Sequence, residues 1–114
     1  MENCPIPVDV ANKMIEEYLN YLNQLGVDPN KQSQSVSFTG KELMAWMSQT
    51  MPFADELKVF LGVYPKGEPN AGRITVILWP YKDGKPAAQA YSEGKDAPPP
   101  PPPIPPYNNG GLNP

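Results

Sequence analysis

The sequence predicts an α+β domain: two N-terminal helices packed on a small antiparallel sheet of about three strands, followed by a polyproline tail. Three observations carry that expectation. Apolar residues recur at three- and four-residue spacing early in the chain, the period changes to two after Glu56, and proline fills every position from 98 to 103. Residues 1–97 are read as a single α+β domain and residues 98–114 as the proline-rich tail.

The first helix is expected between Pro7 and Gly26, about 16–18 residues or roughly 25 Å long. Val8, Ala11, Met14, Ile15, Tyr18, Leu22 and Leu25 fall on one stripe, with Glu16, Glu17, Asn20 and Asn23 opposite. Asp9 is placed to cap its start and Gly26 to end it in the left-handed conformation. Asp28-Pro29-Asn30 then signals a turn. Val36 and Phe38 alternate with serines, as a short strand or an extended lead-in would. Thr39 and Glu42 have the spacing of a capping box, so a second helix starts there. It carries Leu43, Met44, Trp46 and Met47, and Pro52 stops it.

After Glu56, Leu57, Val59, Leu61 and Val63 alternate with Lys58, Phe60, Gly62 and Tyr64. Beyond an eight-residue loop, Pro65 to Gly72, Ile74, Val76 and Leu78 alternate with Thr75, Ile77 and Trp79. Two antiparallel strands follow from that pattern. Gly62 in mid-strand marks a bulge or a slot beneath an aromatic. Asp83-Gly84 is a hairpin dipeptide, and Ala87 to Tyr91 is the returning third strand. The aliphatic face of this sheet should take the helices. Its other face offers Phe60, Tyr64, Ile77, Trp79 and Tyr81, whereas a solvated face would alternate to polar residues. A helix, the tail, a second copy of the chain or another protein is expected to cover it.

Pro98 to Pro103, then Ile104, Pro105, Pro106 and Tyr107, favour a polyproline II conformation, in which Pro98 to Pro106 span roughly 28 Å. Three roles fit: docking on the chain's own domain or on a neighbouring copy, a stiff spacer, or a ligand for an aromatic groove. Tyr64, Trp79 and Tyr81 are the expected seat for a docked tail, with Tyr107 and Leu112 anchoring its end.

Composition bounds the chemistry. The chain has no histidine, one cysteine and a formal net charge of −3. Ser-His-Asp and Cys-His nucleophile systems are therefore excluded, and Cys4 alone makes neither an internal disulfide nor a zinc site. The nine glycines form neither GxGxxG nor GxxxxGK[ST]. Glu16-Glu17 and Asp55-Glu56 read as a solvated helix face and a strand entrance. No catalytic, cofactor or metal role is assigned, and no enzyme activity is expected. Scattered lysines and a single arginine, Arg73, argue against a nucleic-acid partner. The start MENCPIPVDV has neither a basic region nor an apolar run, and no stretch suits a membrane span, so no membrane partner and a cytoplasmic location are expected.

The segments SVSFTGKELMAWM, LKVFLGVYP, ITVILWP and the terminal YNNGGLNP together resemble a family of small uncharacterised proteins common in bacteroidete bacteria. The likeness runs from Val36 to Pro114 in the same order. It implies the same fold and carries no assigned activity. Relatives in that family end with cysteines beside the last prolines; here Leu112-Asn113-Pro114 stands instead, so no metal or redox role carries over.

A non-enzymatic interaction or structural domain is the leading expectation, binding a protein partner or itself through Phe60, Tyr64, Ile77, Trp79, Tyr81, Ile104 and Tyr107. The alternatives are a small-ligand domain or enzyme with a pocket of tyrosine and carboxylate side chains, and an immunity or accessory protein of a secretion system.

Overall fold

The computed structural model describes residues 3–88, 102–108 and 110–113. Helix α1 spans Val8–Gln24, strand β1 Ser35–Ser37 and helix α2 Gly40–Thr50. Strands β2 (Glu56–Val63), β3 (Ile74–Lys82) and β4 (Lys85–Pro86) follow, and β5 (Gly111–Asn113) closes the chain. The architecture is α+β, with both helices in the N-terminal half and two antiparallel sheets, ordered β2-β3-β4 and β1-β5.

Helix α1 begins one residue before the expected cap. Pro7 holds the N-cap with φ −58°, and Asp9 lies in the first turn without making a cap bond. Its carboxylate there still faces the positive end of the helix dipole. At the other end Gly26 takes φ +76°. Gly26 N–H donates to Asn23 at 3.0 Å and Val27 N–H to Leu22 at 2.9 Å, the paired bonds of a Schellman motif. The Asp28 carboxylate accepts from Asn30 N–H at 2.9 Å, which fixes the turn Pro29–Lys31. Thr39 is the N-cap of α2, although its side chain makes no cap bond. The helix stops at Thr50, and a short 3-10 turn over Met51–Phe53 absorbs Pro52.

Strands β2 and β3 pair without interruption from Glu56↔Tyr81 to Val63↔Ile74. Gly62 sits opposite Thr75 in regular register, so it is no bulge. A Cβ there would meet Ile77 Cδ1 at 3.2 Å, which makes it a slot beneath an aliphatic side chain rather than an aromatic one. Asp83 (φ 52°) and Gly84 (φ 78°) form the two-residue turn between Lys82 and Lys85, both positive as a type I′ hairpin needs. The return strand comes earlier than Ala87: β4 is Lys85–Pro86, Ala88 makes an isolated bridge to Pro103, and Gln89 to Tyr91 lie outside the described residues.

The tail is built into the domain from residue 102 onward. Tyr107 and Leu78 exchange backbone hydrogen bonds of 2.8 and 2.9 Å, and Ile104 N–H donates to Ala87 at 2.8 Å. β5 then pairs with β1, Val36 facing Leu112. Tail residues are thus hydrogen-bonded to β3 and to β1 of the preceding chain. Prolines 98–101 lie outside the described residues.

Two pieces of chain, Ala87 and the tail at Tyr107-Asn108, complete the outer edge of β3. Ala87 N–H takes the Pro80 carbonyl, Tyr107 takes Leu78, and the Asn108 side chain takes Val76. Pro80 has no N–H to offer on that edge, so its presence in the strand costs no bond to β2. Pro80, Leu78, Ala87 and Ile104 are all buried along this seam.

Candidate functional site

Two surfaces concentrate the aromatic and apolar residues that could engage a ligand or partner. On one face of the β2-β3 pair, the register puts Phe60, Trp79 and Tyr81 side by side. Their ring centroids are 5.7 Å apart for Phe60–Trp79, 6.0 Å for Phe60–Tyr81 and 6.1 Å for Trp79–Tyr81. The Phe60–Trp79 and Trp79–Tyr81 pairs are edge-to-face, the arrangement that sets a positive ring edge against a negative ring face. Lys58 Nζ lies 4.9 Å from the Tyr81 ring centroid and 3.8 Å from Glu56. Both charges are half in water, so they edge the cluster and add little to its stability. Phe60 remains 38% exposed, and Trp79 and Tyr81 are half-buried.

The other expected site residues divide. Ile77 is half-buried on the same face, next to the Gly62 slot. Tyr64 is committed to the tail, its hydroxyl donating to Asn108 Oδ1 at 3.2 Å. Asn108 Nδ2 in turn donates to Val76 O at 2.6 Å and to Thr75 Oγ1 at 3.2 Å. This one amide thus ties β3 to Tyr64, the residue that follows β2. Ile104 is 3% exposed, and the Tyr107 ring lies 4.7 Å from Trp46 and 5.4 Å from Phe38. Those two tail residues serve the domain's own interior. Their seat is α2 and the lead-in to it; of the three expected aromatics, Tyr64 holds the tail by its hydrogen bond, and the Trp79 and Tyr81 rings pair with Phe60 instead.

Sequence reasoning placed Phe38 and Trp46 on their elements but missed them as the seat of Tyr107. It also passed over Gly110. A Cβ on Gly110 would lie 2.5 Å from Val36 Cγ1, 2.8 Å from the Ser37 carbonyl and 3.0 Å from the Phe38 ring. The Gly110-Gly111 pair, read as a close backbone approach rather than a turn, was the available signal.

Beside the buried Ile104 a cavity of about 390 Å³ opens, lined by Trp46, Gln49, Thr50, Phe53, Ile104 and Pro105. It presents an amide and a hydroxyl but neither tyrosine nor carboxylate, and Thr50 Oγ1 already donates to Trp46 O at 2.8 Å.

The second surface is aliphatic. On β2, Val59, Leu61 and Val63 are 57–78% exposed, and on α1 Val8, Val10, Met14, Ile15, Tyr21 and Leu25 are 43–77% exposed. The helices were expected to cover this sheet face. Instead α1 is held mainly through its C-terminal half, where Leu22 is buried and the Tyr18 hydroxyl donates to Ser33 O at 2.8 Å. Gln32 secures the same segment to the sheet, accepting from Ile74 N–H at 2.6 Å. A groove of about 270 Å³ lies where the two elements meet, with Tyr18, Val36, Leu61, Ile74 and Val76 in its walls.

Among the described residues no group of acidic or cysteine side chains is placed to hold a metal ion, and no helix is long and apolar enough to cross a membrane. Cys4 is free and exposed. No protein-family model matches the chain, and no curated protein or solved structure matches it either.

Proposed function

We propose that the chain is a non-enzymatic protein-interaction module that binds a partner through the aromatic sheet face of Phe60, Trp79 and Tyr81. The observation that carries this reading is the three-ring cluster itself, open at Phe60 and bordered by Lys58 and Glu56. Rigid aromatic side chains with polar borders are the residues that anchor interfaces, because they bury much area while losing few rotamers. The tail acts in this module as a structural strap. Its Tyr107-to-Gly110 segment, which also carries the resemblance to the bacteroidete family, fixes the outer edge of β3 and so sets the position of Trp79 and Tyr81. A cytoplasmic setting and a partner other than nucleic acid or membrane accord with the net charge of −3 and the scattered lysines.

The test is partner capture with the full chain as bait, comparing wild type with Phe60→Ala and Trp79→Ala by quantitative mass spectrometry. Phe60→Ala leaves the melting temperature within a few degrees and lowers recovery of the partner at least about tenfold. Recovery unchanged in both variants overturns the assignment. A second reading is favoured by the cavity beside Trp46: its 390 Å³ falls in the ~300–1,000 Å³ range of small-ligand sites. Its ligand would be largely apolar with one group for the Gln49 amide.

A further inference from the structure

The aliphatic surface lies on the opposite face from the aromatic cluster, and its chemistry identifies a different occupant. We propose that it is the interface of a homodimer, in which α1 of each copy lies across β2 of the other.

Four observations converge on a second copy. The first is extent. Val10, Met14, Tyr21 and Leu25 on one arc of the helix, with Val59, Leu61 and Val63 on β2, present on the order of 700 Å² of mainly apolar surface, close to the roughly 800 Å² per partner of a standard stable interface. The second is self-complementarity. A sheet face is stably covered by a helix, and a helix stripe by a sheet or another helix. This chain leaves bare one of each, and a two-fold axis lets each satisfy the other. The third is length. The 17 residues of α1 extend about 25 Å, and the eight residues of β2 about 27 Å. The fourth is charge. At 100° per residue, Asp9 and Glu16 lie on the arc of α1 away from Val10, Met14 and Tyr21, with Lys13 and Glu17 at the border of that arc. Lys58 and Glu56 point to the aromatic side of the sheet, so two copies of like net charge meet across an uncharged face.

Other occupants fit less well. Residues 89–101 contain a single large apolar side chain, Tyr91, among alanine, proline and polar residues. They lack the apolar area to cover α1 and β2. A membrane surface selects a helix with a basic polar face, whereas α1 carries Asp9, Glu16 and Glu17 against Lys13 alone.

The test uses the full chain in sedimentation equilibrium, up to about 100 µM. The expected mass is twice the 12.5 kDa of the chain. Leu61→Glu and Met14→Glu each weaken dimerisation at least about tenfold, while Glu16→Arg on the polar arc leaves it intact. A monomer throughout the range overturns the proposal. So that it does not depend on variants that fold poorly, a photoreactive benzoylphenylalanine replaces Leu61 in the otherwise native chain, irradiated in cells. A self-adduct through α1 supports the dimer; an adduct with a different protein, or none, overturns it. Neither result bears on the aromatic face, which the Phe60→Ala capture reads separately.

Discussion

The C-terminal strap and helix α1 are opposites in what their sequences promise and what the fold makes of them. Helix α1 has the strongest local pattern in the chain, with a regular stripe, a positive-φ glycine stop and 17 helical residues. Yet most of its apolar side chains face solvent. The strap is rich in proline and has no periodicity. It nevertheless contributes buried Ile104, a ring between Phe38 and Trp46, and hydrogen bonds to β3 at both backbone and side chain. The difference teaches that local propensity and tertiary integration are separate quantities. Periodicity says that a helix forms; it does not say what covers its stripe. Conversely, a segment unable to build a helix or a continuous ladder can still complete an edge one hydrogen bond at a time.

Deleting residues 98–114 tests this contrast most severely. It removes the Tyr107–Leu78 pair, the Asn108 bridge, buried Ile104 and the whole β1-β5 pairing. The expected loss is on the order of 4 kcal/mol, or roughly 20 °C in melting temperature followed by circular dichroism. An unchanged melt would mean that the strap rests on the domain without supporting it. Gly110→Ala sharpens the same point with one methyl group. The added Cβ meets the Ser37 carbonyl and Val36, and backbone cannot swing aside as a side chain would. A cost of about 2 kcal/mol is expected, concentrated in lost amide protection across β5 and β1 in hydrogen exchange. Protection lost uniformly over the chain would show instead that the strap and the sheet open as one unit.

How much of this was legible depends on the range of the interaction involved. The helix boundaries, the β2-β3 pairing and the Asp83-Gly84 turn follow from spacings within a few residues, and each stands close to its expected place. The α1 N-cap moved two residues, from Asp9 to Pro7, which supplies no side-chain cap bond, because a proline's fixed φ suits the entry to a helix wherever the chain turns into it. The two-stranded β1-β5 sheet was invisible for a different reason: its strands are three residues each and lie 74 positions apart from Ser37 to Gly111. The Asn108 bridge was hidden likewise, since an asparagine in Tyr-Asn-Asn-Gly-Gly reads as a turn former until Val76 and Tyr64 are placed beside it. The aromatic face was readable from alternation alone. Its three rings, Phe60, Trp79 and Tyr81, stand where alternation puts them; the seat of Tyr107 was not readable, because Phe38 and Trp46 stand on elements that alternation cannot relate to the sheet.

The smallest expected effect falls on the bare side of the molecule. Val59 is 57% exposed, and threonine matches valine in shape while replacing a methyl with a hydroxyl. In a dilute, monomeric sample Val59→Thr should change stability by no more than about 0.5 kcal/mol, as at other exposed positions. At high concentration the expectation differs. If α1 of a second copy covers β2, association stabilises the native chain by mass action, so the wild-type melting temperature climbs with concentration. Val59→Thr then buries an unpaired hydroxyl in the interface, and the climb flattens. The measurement is a pair of melts for each protein at dilute and concentrated limits. A large loss in the dilute sample would place Val59 inside the monomer's own core, erasing the contrast between the strap and α1. Equal slopes for the two proteins would place it outside any interface.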